Sequence, residues 1–468
     1  MSIHIGTRRE SFVDTFLVDR LEGTSLQLHR PHSGGVALHF DEPWARPSAG
    51  YGTVILDGDL YRLYYRKVLL GDGGGDDSAQ QVTCTAESTD GVTWSKPDLG
   101  LYEIQGSREN HVVHAGLGPT SHNFSPFLDP RPGIPPSQRY KALAGTQTTG
   151  LMGFVSPDGL HWQLLQETPL LPSIEGELRY DSQNVAFWSE HEGCYLCYFR
   201  TWENQVRSIS RARSTDFLRW QEEGPMEMSD GPAEHLYINQ THPYFRAPHI
   251  YVSLAARFMP GRQVLSDQEG REYEIGSHRG VGYWHDCSEA VLLTSRGGQR
   301  YERTFLEGFV RPGPDRRNWV SRCNYPMLGI VPTGTGEMSL YVMRHNQQPT
   351  AHLERLVLRT DGFASLHAPF AGGKMVSKPF CFEGDHLTLN YATGAAGHVQ
   401  VELQDKAGRP IEGYTLEDAD VLVGDELARV VSWQGRQDVA MLAGQTVRLC
   451  LALKDADVYS FQFYYCDG

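Results

Sequence analysis

Four arginines close strand-like runs at comparable places. The runs are Leu60-Tyr61-Arg62-Leu63-Tyr64-Tyr65-Arg66, Tyr195-Leu196-Cys197-Tyr198-Phe199-Arg200, Ile250-Tyr251-Val252-Ser253-Leu254-Ala255-Ala256-Arg257 and Leu340-Tyr341-Val342-Met343-Arg344. Arg66, Arg200, Arg257 and Arg344 should therefore point toward one end of their strands, where Arg322 can join them. Guanidinium groups grip carboxylates, sulfates and phosphates through two parallel N–H bonds. Such a ring predicts an anionic group on a small molecule, or phosphate as co-substrate. The competing expectation is that each arginine pairs with a neighbouring Asp or Glu and holds loops in place. A second set of groups leads into the apolar runs: Ser48-Ala49-Gly50-Tyr51, His122-Asn123, Asp181-Ser182-Gln183-Asn184, Asn239-Gln240-Thr241 and Arg322-Cys323-Asn324. Amides and hydroxyls both donate and accept, which suits a polyhydroxylated ligand. The acid among them is Asp181. Asp41 and Glu42, beside Pro43-Trp44, are candidates for a second carboxylate, with Glu307 in reserve. Two such carboxyls can break a glycosidic bond, one protonating the departing oxygen and the other attacking or activating water.

The elements that must gather these residues show as a repeat. Ser88-Thr89-Asp90-Gly91-Val92-Thr93-Trp94, Ser156-Pro157-Asp158-Gly159-Leu160-His161-Trp162 and Ser214-Thr215-Asp216-Phe217-Leu218-Arg219-Trp220 share one pattern. Weaker copies stand at Ser295–Tyr301 and Arg359–Phe363. Asp-Gly makes the turn, because glycine accepts positive φ and aspartate bonds nearby backbone; the aromatic then packs between sheets. Five copies at roughly 50–80-residue spacing predict five four-stranded blades of a β-propeller. No stretch shows sustained helical periodicity. Beyond about residue 370 the rhythm changes to strands such as Leu387–Tyr391, Val399–Leu403, Val447–Leu451 and Tyr459–Phe463, predicting an antiparallel β-sandwich. The chain is thus expected to be all-β, with a propeller over 1–370 and a sandwich over 371–468. Phe12–Val18 is read as a strand that closes the ring or bridges the two domains.

Composition bounds the rest. A chain of 468 residues with formal net charge −15 is long enough for two domains and too acidic overall for a nucleic-acid binder. The most apolar stretches are strand-length and interrupted by charge, so no membrane segment is expected. The first residues lack the apolar core of a signal peptide, so the eight cysteines are expected to be reduced thiols of a cytoplasmic protein. Cys194 and Cys197 lie three apart on a strand and face opposite sides, so they are not expected to share a metal. Asp72-Gly73-Gly74-Gly75-Asp76-Asp77 lacks the glycine and terminal glutamate of a calcium loop. No cofactor or metal is predicted, and the sequence is compatible with a monomer or a homo-oligomer.

Asp41-Glu42-Pro43-Trp44, Ala86-Glu87-Ser88-Thr89-Asp90-Gly91, Tyr180–Trp188, and Asn318-Trp319 followed by Arg322 resemble a group of bacterial proteins similar to the N-terminal domain of glycoside hydrolase family 32. The resemblance spans nearly the whole chain. It implies the five-bladed propeller of families 32, 43 and 68, in which three carboxylates on the first three inner strands surround a central funnel. In the position of the family's first aspartate stand Ala49-Gly50-Tyr51-Gly52, without a carboxylate. Asn123 replaces the second aspartate, and Asp181 falls where the third acid, a glutamate, is found. The expectation is a glycoside hydrolase acting on an oligosaccharide or small glycoside. Asp181 would be the acid and Asp41 or Glu42 the second carboxylate. His122, Asn123, Gln183, Arg66, Arg200, Arg257, Arg322 and Arg344 would hold the substrate, with Trp319 or Tyr51 stacking on a sugar face. The alternatives are a glycoside phosphorylase, which needs only one protein acid because phosphate is the nucleophile, and a non-catalytic carbohydrate-binding propeller.

Overall fold

The computed structural model describes every residue except 1, 71–76, 230, 277–281 and 467–468; the acidic loop at 72–76 lies outside the described residues. Among the described residues, five four-stranded sheets and one two-stranded parallel pair, Glu227–Met228 with Arg300–Tyr301, make up residues 31–357. The first blade is Gly50–Asp57, Leu60–Val68, Gln81–Ser88 and Val112–His114. The second is Ser125–Leu128, Tyr140–Thr146, Gly150–Ser156 and Gln163–Leu164, and the third Val185–Ser189, Cys194–Glu203, Val206–Ser214 and Gln221–Pro225. Each is an antiparallel meander, as hairpin connection of alternating apolar runs requires.

The fourth blade departs from that plan. Its inner position is filled by two short pieces, His235–Leu236 and Thr241–Tyr244, both paired to the long strand Ala247–Met259, which pairs in turn with Cys287–Ser295. Between the last two runs an insertion carries a short helix, Asp267–Glu272, capped at Ser266. The fifth blade is Val331–Gly334, Glu337–Arg344 and His352–Arg359, completed by His32–His39 from the start of the chain. Ring closure therefore falls to His32–His39. The expectation that Phe12–Val18 closes the ring is corrected: Phe12 and Leu17 are core residues of the other unit.

The repeated turns act as predicted from sequence. In the first three blades the serine hydroxyl accepts the amide of Gly91, Gly159 or Phe217 at 2.9 Å. The aspartate Oδ1 accepts the next two amides, as at Leu160 and His161, both 2.9 Å from Asp158. Gly159 has φ +76°, and a Cβ there would meet the Tyr64 hydroxyl of the preceding blade. That hydroxyl donates to the Gly159 carbonyl at 3.0 Å. Trp162 packs edge-on against Tyr64 and Tyr140, and Trp94 against Tyr341 of the fifth blade. Cys194 and Cys197 enter different apolar clusters on the two faces of their strand.

The second unit comprises residues 1–30 together with 358–468. This corrects the division at 370, since the first thirty residues belong here. It is the expected β-sandwich, built as one hydrogen-bonded sheet of ten strands around one apolar core. Its long antiparallel strand pair, His386–Asp405 with Val447–Tyr464, carries register shifts at 390/391 and 393/398.

Candidate functional site

The loops leading into the inner strands meet on the ring axis. Several of their residues have positive φ: Tyr51 (51°), Asn123 (56°), Gln240 (51°), Arg322 (65°) and Asn324 (64°). A non-glycine residue in this region is uncommon and is held there by its surroundings. Asn123 shows what holds it. Its side-chain amide donates to the Ser182 carbonyl at 3.0 Å, and its Oδ1 accepts from Arg66 at 2.6 Å.

Below these loops the axis is closed by amides. The Gln183 Nε2 donates to the Gly52 carbonyl (3.2 Å), Thr53 Oγ1 (3.0 Å) and Ser125 Oγ (3.3 Å). Gln240 Nε2 donates to Gln183 Oε1 and to the Pro326 carbonyl, both at 2.8 Å. The two glutamines therefore link groups from all five blades. Gln183 was expected to bind substrate; it is fully buried in this seal instead.

Above the seal, Ala49, Gly50, Tyr51, Arg66, Arg322 and Tyr325 line a narrow cavity. Around and beside it, guanidinium groups interleave with phenols. Arg66 stands 4.4 Å from the Tyr51 ring centroid. Arg200 and Arg207 stand 4.5 and 4.9 Å from that of Tyr237. Arg322 stands 5.8 Å from Tyr237 and 5.2 Å from Tyr283. Among the described residues none of these four arginines forms an ion pair with a carboxylate; Arg66 bonds to an amide, Arg200 to the Tyr237 carbonyl and Arg322 to the Tyr283 hydroxyl. Burial pushes Arg66 below the usual arginine range, and the nearby Arg322 adds to that.

The other two arginines of the expected ring do not join. Arg257 is paired with Glu234 at 3.0 Å and Glu289 at 2.5 Å. Arg344 is paired with Glu354 at 2.6 Å and also bonds to Asn324. Both are structural.

The carboxylates divide as sharply. Asp181 stands at the mouth, its side chain 68% exposed, with Oδ1 4.0 Å from His122 Nε2. Glu42 is buried and fully engaged: Lys67 (2.7 Å), Lys96 (2.8 Å), Tyr65 (2.9 Å) and His111 (3.2 Å) surround it. Burial alone would raise its pKa, but the His111 hydrogen bond and the two lysines hold it well below the carboxylate range. A carboxylate so paired is a structural anchor, not an acid–base group. Asp41 is largely exposed on Lys96 at 2.7 Å. Neither lines the cavity, and Glu307 is exposed. Trp319 is half-buried, with its indole N–H on the Gly313 carbonyl at 2.8 Å, and does not line the cavity either.

Sequence reasoning missed Arg207, Tyr237, Tyr283 and Tyr325. Tyr237 lies just ahead of Asn239-Gln240-Thr241, between the two pieces of the split inner strand. Arg207 faces Trp202 across the hairpin that carries Arg200. Extending the arginine search to the partner strand of that hairpin would have found it.

No family model matches the sequence, and no curated protein matches it. Solved structures resemble it at low identity. A fructofuranosidase from Schwanniomyces occidentalis complexed with fructosylnystose is 10% identical, with TM-score 0.40, over 91% of this chain and 96% of that one. A thermostable family-43 glycoside hydrolase is 12% identical, with TM-score 0.39, over 69% and 93%. A β-1,2-mannobiose phosphorylase from Listeria innocua is 9% identical, with TM-score 0.43, over 69% and 96%.

Proposed function

We propose that the propeller is a glycosidase that cleaves a bond in a carbohydrate bearing an anionic group, a carboxylate or a sulfate. The carrying observation is the set of four guanidiniums, Arg66 and Arg322 lining the axial cavity and Arg200 and Arg207 beside it on the Tyr237 ring, without carboxylate partners among the described residues. Cations crowded into a partly buried site need a counter-charge, and in this protein the ligand supplies it. The tyrosines between them offer flat faces and hydroxyls to a sugar ring. Asp181, at the same mouth, gives its proton to the departing oxygen, and His122 beside it positions the carboxyl.

The test is turnover of uronate-terminated and sulfated oligosaccharides against their neutral counterparts, with reducing-end release as the readout. Asp181→Asn should lower kcat by on the order of 10²–10⁴-fold without unfolding the protein. Equal turnover of neutral substrates, or full activity in Asp181→Asn, would sink this reading. One observation favours phosphorolysis as a second reading: among the described residues Asp181 is the sole candidate acid found at the mouth, and the same guanidiniums suit inorganic phosphate. Turnover that requires added phosphate would select it.

A further inference from the structure

Asn346 and Gln347 line the axial cavity together with Arg66 and Arg322. They stand in the turn that follows the fifth-blade strand Glu337–Arg344, and that turn is tied down by its neighbours. The His345 ring bonds to Asp315 Oδ2 at 2.7 Å and to Thr350 Oγ1 at 2.8 Å. The Asn346 backbone amide donates to Cys323 Sγ at 3.1 Å, the Gln347 carbonyl accepts from the Gly276 amide at 2.9 Å, and Gln348 Nε2 donates to the Arg317 carbonyl at 2.8 Å. His345 and Gln347 both hold positive φ, 50° and 62°, a backbone region that non-glycine residues keep only where the surroundings impose it. Within this frame one group is left over. Gln347 is 6% exposed, yet its side chain makes no hydrogen bond among the described residues, and its Oε1 is buried without a donor. Buried polar groups are nearly always paired, and an unpaired one is costly. The neighbouring guanidiniums do not pair with it: Arg66 bonds to Asn123 and Arg322 to Tyr283. The cavity itself is small, about 20 Å³, with room for one or two groups the size of water and not for a sugar ring.

We infer that Gln347 is a specificity residue of the axial cavity and reads a hydroxyl that lies next to the substrate's anionic group. Arg66 and Arg322 can only donate, so they take the anion; the Gln347 Oε1 lacks a donor, and a carboxylate or sulfate brings none. A hydroxyl does. Because it also accepts, it pairs with the amide whichever way the amide is turned about its soft last bond. A cavity this small admits both groups only if they sit on adjacent carbons while the ring stays outside at the mouth. A hexuronate meets that demand, since the carbon that carries its carboxylate is bonded to the carbon with the 4-hydroxyl. The substrate class selected is therefore a uronate with a free 4-hydroxyl, because a chain extended through that oxygen has lost the donor. The inference rests on the anionic-carbohydrate reading above.

The experiment is titration calorimetry of the full chain and of Gln347→Met with the methyl glycosides of glucuronate and galacturonate and with their 4-deoxy analogues. Methionine keeps the length of the side chain and removes its amide. The natural protein should bind one of the two parent uronosides roughly 10- to 100-fold more tightly than its deoxy analogue, the cost of leaving a buried polar group unpaired. Gln347→Met should bind that parent and its analogue alike, with the analogue's affinity close to its value in the natural protein. The comparison of ligands on the natural protein requires no variant, so it decides even where Gln347→Met fails to fold. Equal binding of parent and deoxy ligand by the natural protein overturns the proposal, and so does a preference that survives in Gln347→Met. Binding of no uronoside at all by the natural protein overturns the anionic-carbohydrate reading and this role with it. That result differs from failure of Gln347 alone, in which uronosides bind and the 4-hydroxyl makes no difference.

Discussion

Arg257 and Arg322 are both arginines of the site face, yet they keep different company. Arg257 is clasped by Glu234 and Glu289, and Glu234 also holds Arg303. Arg322 is packed against Tyr237 and Tyr283 and has no acid beside it among the described residues. A paired guanidinium has already spent its hydrogen-bonding geometry on its partner, whereas an unpaired one can turn a full fork toward a ligand. Arg322→Met keeps most of the volume and removes the charge. It should weaken binding of a uronate-bearing oligosaccharide by roughly 10- to 100-fold, the loss of a charge-assisted hydrogen bond of about 1.5–3 kcal/mol. Titration calorimetry would show this. Arg257→Met should leave that affinity unchanged and lower the melting temperature instead. Equal loss of affinity in both would mean that pairing does not sort ligand-binding arginines from structural ones. The same logic separates Asp181, 68% exposed with His122 4.0 Å away, from Glu42, which two lysines, a tyrosine and a histidine enclose.

At the scale of elements, the Ser-x-Asp turns were legible because their chemistry is local. The serine hydroxyl and the aspartate oxygen satisfy amides two or three residues away, so the signal sits inside one heptapeptide. Asp158 also anchors a neighbour, since its carbonyl accepts from Arg62 of the first blade at 2.7 Å. Asp158→Ala should cost about 1 kcal/mol for the lost hydrogen bonds. The ion-linked part depends on pH. Burial works against the Asp158 carboxylate, but the His161 and Leu160 amides and the His161 ring hold its pKa below the usual range. A depressed carboxylate stabilises the fold above its unfolded pKa, and that contribution fades as pH falls toward its folded value. The gap in melting temperature between Asp158→Ala and the natural protein should therefore be full at neutral pH and shrink in acid below about pH 4; a constant gap would rule out this account. The ring-closing strand was not legible. His32–His39 contains Ser33-Gly34-Gly35, is mostly exposed and pairs with two register shifts. Glycine weakens a strand and an exposed edge needs no apolar alternation, so the segment reads as a turn. The split inner strand of the fourth blade hid Tyr237 in the same way, by being too short to show a period.

The whole molecule closes its ring at two radii, and both closures rest on contacts distant in sequence. At the rim, His32–His39 supplies the outermost strand of the fifth blade. On the axis, Gln183 and Gln240 join groups of all five blades. The sequence placed Gln183 correctly, in the loop before an inner strand, but a polar side chain there can point up to a ligand or down into the ring, and spacing does not distinguish the two. The structure turns it down, and stability and binding should then respond in opposite ways. Gln183→Ala strips hydrogen-bond partners from Thr53, Ser125 and Gln240, all buried, and leaves a small void. Unsatisfied buried groups cost about 1–3 kcal/mol, so the melting temperature should fall by several degrees. Affinity for an anionic oligosaccharide should hold, because the mouth above is built on Arg66, Arg322 and the tyrosines. Calorimetric melting and ligand titration on the one variant decide the matter. An unchanged melting temperature with lost affinity would mean that Gln183 faces the sugar and that the axis is sealed by something other than its amide.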